Sequence, residues 1–382
     1  VDKAVGEADK LIQNNPAEIR YYMMAGEILM DNKMVDDAMK YYQRALKIDP
    51  NNGYLVLAMS DYYRAKKDEV NAYGYVKRAF GLPQIDIDTK VRILYPFFGS
   101  INKPEYYKEA LELSEIMVET HPREAKAFAM YGDFLAQKDG NQVQAIAAYR
   151  KAVKLDANIY AIWDQLVRLE LSQRQLDSAA IHSDTAISLF PNQIAMYFLN
   201  GVAKSQLGKN EQAIKVLKSG LALGSANKVL IAEMYSSLGD TYHELNQMAA
   251  SDSAYDQALS IEPNQAYVLN NYSYYLSLRN DQLEKAEQMS KKSLSIDPNN
   301  ASFLDTYGWI LYKLNRFEEA KNYIEKSIAA GGGSPAVIEH YGDILYKLGQ
   351  ADLALENWKK AKEAGGKSDY LDKKIADKKL YE

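Results

Sequence analysis

Four histidines are the side chains best suited to acid–base or metal chemistry in this chain. His121, His182, His243 and His340 lie far apart in the sequence, and there is no cysteine. The motifs HExxH, GxSxG, GxxxxGK(S/T) and GxGxxG, which position a metal, a nucleophile or a phosphate, are all absent from the sequence. We therefore predict a non-catalytic protein without a metal or cofactor site, in which each histidine is a surface or groove residue.

The overall charge restricts the classes of partner. The chain has 382 residues, and 46 Lys+Arg against 51 Asp+Glu give a net charge of −5. Because there is no basic surplus, we do not expect a nucleic-acid binder. No apolar run approaches the roughly 18 residues of a membrane-spanning helix, so we predict no transmembrane segment. A chain of this length can form two or three ordinary domains or one long repeat array.

The sequence repeats itself about every 34 residues. Residues 303–328 (FLDTYGWILYKLNRFEEAKNYIEKSI) resemble residues 337–361 (VIEHYGDILYKLGQADLALENWKKA), and their glycines Gly308 and Gly342 are 34 residues apart. We call this position the glycine slot. Toward the N-terminus it is occupied by Ser273, Gly239, Gly201, Val167, Gly132, Ser60 and Gly26. A fixed period of this length predicts a repeat architecture.

Each repeat contains two helical patterns. Apolar residues recur at helical spacing, as in Leu304, Tyr307 and Leu311, followed by Ala320 and Ile324. Stretches such as IDPNN at 296–300 end the repeats, because proline cannot continue a helix. A small residue in the glycine slot lets the first helix approach the second closely. We therefore predict pairs of helices and no sheet.

This spacing resembles the tetratricopeptide repeat, whose pattern is W-x2-L-G-x2-Y, then A-x3-F, then P. The resemblance covers essentially the whole chain. It implies an all-α fold, a right-handed α-solenoid of about ten helix-turn-helix repeats with a C-terminal capping helix. It also implies a groove lined mainly by the second, fifth, ninth and twelfth residues of each first helix.

The repeat register divides the chain into segments. Residues 1–16 are predicted to be the second helix of a truncated repeat whose first helix precedes Val1, so we expect the native protein to extend upstream. Repeats 1 and 2 follow at 17–84, a degenerate repeat at 85–122, repeats 4–10 at 123–366 and the capping helix at 367–382. Pro96 predicts a kinked or shortened helix in the degenerate repeat. Four extra residues within 221–228 predict a local irregularity.

Carrying the groove positions of the family onto the C-terminal repeats gives a polar, acidic and aromatic surface. We expect Trp309, Tyr312 and Tyr346 to be exposed on it, because exposed aromatic residues beside polar groups are typical of recognition surfaces. The alternative is that these rings pack against the next repeat. The candidate binding residues are Asp240, His243, Tyr267, Asn270, Tyr274, Asp305, Trp309, Tyr312, Glu339, Asp343 and Tyr346.

The resemblance also indicates the kind of partner. The carboxylate clamp of the family uses Lys and Asn, later followed by Lys and Arg, whereas the equivalent positions here include Asp305, Glu339 and Asp343. We therefore expect a protein or peptide partner that is basic or neutral. Two alternatives stay open: a substrate-selecting region of a larger enzyme, or a glycan-binding envelope protein.

The location is predicted only from likeness. The sequence looks like long Tyr- and Asn-rich repeat proteins of bacterial cell envelopes, and it has 30 Tyr against 9 Phe and 3 Trp. That likeness favours the periplasm or an outer-membrane-attached lipoprotein. A cytoplasmic scaffold would have the same sequence features, and the oligomeric state is not predicted.

Overall fold

The computed structural model describes residues 1–381. In that range the chain forms α-helices and one 3-10 helix, with no β-strand. The backbone divides into two compact units, Val1–Leu189 and Phe190–Glu382. Within each unit, successive helices pair as antiparallel hairpins that stack on one another. The predicted all-α solenoid is confirmed.

The first unit begins with one unpaired helix and continues with five hairpins. Its helices are α1 (Asp2–Asn14), α2 (Ile19–Asp31), α3 (Val35–Ile48), α4 (Gly53–Ala65), α5 (Glu69–Phe80), α6 (Ile87–Leu94), α7 (Pro104–Thr120), α8 (Ala125–Ala136), α9 (Gln142–Leu155), α10 (Tyr160–Ser172) and α11 (Leu176–Leu189).

The second unit contains five hairpins and a short final helix. Its helices are α12 (Ile194–Gln206), α13 (Asn210–Leu223), α14 (Lys228–Glu244), α15 (Met248–Ile261), α16 (Ala266–Leu278), α17 (Leu283–Ile296), α18 (Ala301–Lys313), α19 (Phe317–Ala329), α20 (Pro335–Lys347), α21 (Ala351–Glu363) and α22 (Leu371–Asp377).

The glycine slot sets the distance between the two helices of a hairpin. A Cβ atom added at Gly308 would lie 2.8 Å from Ile324 Cδ1. That distance is shorter than any normal carbon–carbon contact, so a side chain there would push α18 away from α19. Ala320 and Ile324 on α19 are completely buried, which shows how closely the two helices pack.

Two predicted irregularities have clear structural forms. The helix before Pro96 is shortened as predicted, because α6 ends at Leu94 and Tyr95–Ser100 form a 3-10 helix. The extra residues before the repeat of Gly239 lengthen a helix instead of forming a loop. Helix α14 has 17 residues, whereas α12, α16, α18 and α20 have 13 each.

The C-terminal helix covers the last hairpin. Leu371 is buried against Trp358, and Ile375 and Leu380 pack against the same cluster. Helix α22 has only 7 residues, fewer than the segment 367–382 that was predicted to be helical. Gly365, at a φ of 92°, and Gly366 separate it from α21.

Candidate functional site

The predicted binding residues all lie on first helices of the second unit, namely α14, α16, α18 and α20. The structure brings three of them together. Asn270, Tyr274 and Asp305 line one open cavity of about 380 Å³. The rest of its lining comes from Ala301, Ser302, Thr306, Val337 and the loop 331–334. The other predicted residues have different surroundings.

The loop at the rim was not predicted to be part of a site. The sequence GGGSP at 331–335 replaces the usual proline stop, and it was interpreted only as a turn. Gly333 lines the cavity, and an added Cβ atom at this residue would meet nothing within 4 Å. Because these glycines have no side chains, this side of the cavity stays open. The run of glycines was therefore the feature of the sequence that could have indicated a cavity here.

Two polar groups in the cavity differ in how they are satisfied. Asn270 is 7% exposed, and its Oδ1 has no hydrogen-bond donor among residues 1–381. Asp305 Oδ1 lies 2.9 Å from His340 Nδ1, and no other hydrogen bond to the Asp305 side chain exists in the described chain. A buried carbonyl oxygen without a donor is costly, so the Asn270 amide oxygen is an open acceptor in the cavity.

The helix N-termini beside the cavity are already capped. Asn300 Oδ1 accepts hydrogen bonds from the backbone N–H groups of Ser302 and Phe303, at 3.1 and 3.3 Å. Ser334 Oγ accepts one from the N–H of Val337 at 3.4 Å. These caps occupy N–H groups that would otherwise attract an anion.

The expected exposure of Trp309 and Tyr312 is wrong. Trp309 is 7% exposed and Tyr312 is 3% exposed. Trp309 stacks on Tyr312 of its own helix and on His340 of the next first helix, with ring centroids 4.7 and 4.0 Å apart. Trp309 is buried because its groove position, one residue after the glycine slot, also faces the next repeat.

Tyr267, Tyr346 and His243 are among the predicted side chains that keep some exposure. Tyr267 is 69% exposed and touches Phe303 with its ring edge, at a centroid distance of 5.2 Å. Tyr346 is half-buried beside Trp358. His243 is also half-buried and stacks on Tyr275 at 3.7 Å, and burial lowers its pKa.

Two of the acidic positions are engaged by the chain itself. Lys374 of α22 donates to Glu339 Oε1 and to both carboxylate oxygens of Asp343, each at 2.8 Å. Asp343 also accepts a hydrogen bond from Trp358 Nε1 at 2.8 Å. Burial raises the pKa of Asp343, and the nearby Lys374 charge opposes that shift. The expectation that both acids are available to a partner is therefore wrong.

Asp240 has a similar structural role. Its carboxylate accepts hydrogen bonds from the hydroxyl groups of Tyr255 on the second helix and Tyr275 on the next first helix. Burial raises the pKa of Asp240, whereas the hydrogen bonds from Tyr255 and Asn271 lower it. The acid thus connects three helices.

The contacts of Lys374 and His340 share one register. One residue lies three positions before the glycine slot, and a second lies one position after it. Both contact a third residue, which lies two positions before the glycine slot of the next repeat. We call these three residues an inter-repeat triad. Glu339 and Asp343 meet Lys374 in this way, and Asp305 and Trp309 meet His340.

His340 is the buried centre of its triad. Burial alone would lower its pKa, but the charge and hydrogen bond of Asp305, together with the charges of Asp343 and Glu339, raise it above the ordinary value of 6.5. The histidine therefore acts as a packing and charge-balancing residue between two repeats.

A second cavity, of about 430 Å³, lies in the first unit and was not predicted. It is lined by Ile19, Met23 and Tyr54, with Glu18 and Arg20 at the side. Arg20 Nε donates to Glu18 Oε1 at 2.9 Å, which lowers the pKa of Glu18 to about 2. The groove positions of the family include Arg20, Met23 and Tyr54, so extending them to the N-terminal repeats would have found this cavity.

The described residues contain neither a cluster of His, Asp or Glu side chains able to hold a metal ion nor a helix able to cross a membrane.

Comparisons with known proteins agree with this fold. Tetratricopeptide repeat models match residues 19–52, 232–265 and 301–330. An uncharacterized protein, ycf37 of Pyropia yezoensis, is 33% identical over 97 residues, which are 25% of this chain and 49% of that protein. The match therefore spans about half of the curated relative.

Two solved structures share the fold at low identity. A tetratricopeptide repeat protein from Parabacteroides merdae has a TM-score of 0.53 at 16% identity, covering 66% of this chain and 98% of its own. The Cut9–Hcn1 hetero-tetramer of the APC/C has a TM-score of 0.56 at 12% identity, covering 94% of this chain and 76% of its own.

Stacked helical hairpins with small residues at most crossings define an α-solenoid, a class that suggests a scaffold for protein interactions. Typical members are non-catalytic. The chain contains tetratricopeptide repeats in the three matched segments and shares the fold of a tetratricopeptide repeat protein, and both findings support its assignment to that family.

Proposed function

We propose that this chain is a non-catalytic scaffold that binds an extended segment of a partner protein on the first-helix surface of its C-terminal repeats. The observation that carries this proposal is the open cavity of about 380 Å³ lined by Asn270, Tyr274 and Asp305. The cavity contains a buried amide oxygen that lacks a donor. A partner backbone or side chain could supply that donor.

A random linear peptide library displayed on phage and selected against the whole chain tests this proposal. Gly333→Leu should block the cavity, because a side chain can be added at this residue without a clash. Gly74→Leu is the matched control, since Gly74 also has open space around it but lies on α5 in the other unit.

The selected peptides should bind the original chain and Gly74→Leu equally, and bind Gly333→Leu at least about tenfold more weakly. Peptides that bind all three proteins equally would contradict the proposed site. If circular dichroism shows that Gly333→Leu is unfolded, Ser302→Arg replaces it, because Ser302 is exposed and also lines the cavity.

A further inference from the structure

Three successive inter-repeat triads in the second unit differ in the residue that the next repeat supplies. The Glu339–Asp343 triad receives Lys374, and the Asp305–Trp309 triad receives His340. By the same register, the triad of Asn270 and Tyr274 should receive Thr306. Threonine is much shorter than lysine or histidine, so this triad has no long donor.

The cavity lies where that donor is missing. Asn270, Tyr274 and Thr306 all line it, and Thr306 makes no hydrogen bond to Asn270 in the described chain. In the last triad, Lys374 fills the equivalent space with its side chain 5% exposed and satisfies the acceptors around it. The unpaired Oδ1 of Asn270 is therefore the acceptor that a lysine would meet.

The charge of the cavity also favours a lysine side chain as its ligand. Asp305 places a carboxylate on its wall, and His340 lies within hydrogen-bond distance of only one of the two oxygens, Oδ1. The Tyr274 ring adds an aromatic surface that can attract a cation. Asn300 and Ser334 occupy neighbouring N–H groups, which makes the wall a poor anion site.

We propose that the cavity between Asn270, Tyr274 and Asp305 binds a lysine side chain of the partner, in the manner in which Glu339 and Asp343 bind Lys374. This inference rests on the proposed function, since it names the side chain that the bound segment contributes. The lysine ammonium group donates to Asn270 Oδ1 and to the Asp305 carboxylate.

The first test needs no partner. Thr306→Lys places an ammonium group in the cavity from within the chain, and Thr306→Met places an uncharged side chain of similar length there. Hydrogen bonds to a charged group should make Thr306→Lys melt at least about 3 °C above Thr306→Met. An equal or lower melting temperature would show that the cavity does not hold an ammonium group.

The second test uses peptides from the phage selection. Lysine should be enriched at one position, and that lysine is then replaced by norleucine or ε-N-acetyl-lysine in synthetic peptides. Each replacement should weaken binding to the original chain at least about tenfold, measured by fluorescence anisotropy. In the Asp305→Asn variant, each of these peptide replacements should weaken binding by less than about threefold. In the control variant Asp61→Asn, on α4 in the other unit, each replacement should weaken binding as much as it does for the original chain.

The outcomes separate the two proposals. Peptides that need an open cavity but show no lysine preference would overturn the lysine proposal and leave the scaffold proposal intact. A library that yields no peptide sensitive to Gly333→Leu would overturn the scaffold proposal. The comparison of Thr306→Lys with Thr306→Met would still decide whether the cavity accepts an ammonium group.

Discussion

Lys374→Met should release helix α22 from the end of the array. The side chains of Lys374, Glu339 and Asp343 are only 5%, 10% and 4% exposed. Removing the cation leaves two carboxylates without their partner in a buried place, which typically costs about 3–5 kcal/mol. Among the residues of α22 itself, Leu371 is the one buried apolar side chain, and it contributes about 1.5–3 kcal/mol. The lost interaction is therefore comparable to the contribution of Leu371 to the docking of the helix.

The chain can avoid the cost by undocking α22, which returns both acids to water. Hydrogen exchange measured by mass spectrometry on peptides covering residues 367–381 detects this directly. Protection of α22 should fall about a hundredfold or more in Lys374→Met. Lys373→Met is the matched control, because Lys373 is exposed and its charge lies over the Tyr381 ring. We expect a change of less than about threefold for the control.

A triple variant tests the cause. Lys374→Met combined with Glu339→Gln and Asp343→Asn removes the buried charges together with the cation, so protection should recover to within about tenfold of the original. The amide oxygen that Asp343→Asn introduces could still accept the hydrogen bond from Trp358. Unchanged exchange in the single variant, or no recovery in the triple variant, would refute the argument that uncompensated acids drive α22 off.

Two further predictions concern packing and pH. Gly308→Val should lower the free energy of unfolding by about 1–3 kcal/mol, because its side chain would clash with Ile324. Gly74→Ala, at an open helical position, should raise the free energy of unfolding by about 0.5–1 kcal/mol. If urea unfolding shows the same effect for both variants, the proposed role of the glycine slot is wrong. His340→Gln should cost more stability at about pH 5.5 than at about pH 9. Since the pKa of His340 is raised by Asp305, its contribution is complete below 6.5 and disappears as the pH rises through the raised pKa. A pH-independent cost would refute this.

The repeat pattern predicted the helices well because their determinants lie within one repeat. The spacing of apolar residues, the glycine slot and the closing prolines are all local signals, and Pro96 marked the shortened helix α6 for the same reason. The length of α22 was overestimated because an amphipathic pattern does not show where the chain stops being helical. Gly365 and Gly366 limit the helix on one side, and Lys378, at a φ of 50°, ends it on the other.

The candidate site could not be predicted in the same way, because its state depends on two repeats at once. Asp305 and Glu339 occupy the same groove position in successive repeats, so the sequence predicts that both acids bind a partner. Whether each acid is available depends on the residue two before the glycine slot of the next repeat. For Glu339, the equivalent residue lies on the capping helix. His340 and Lys374 are long enough to reach the acids, whereas Thr306 is too short to reach Asn270. Among these three triads, the acceptor stays open only where a short residue follows it one repeat later, which explains why the cavity lies at Asn270.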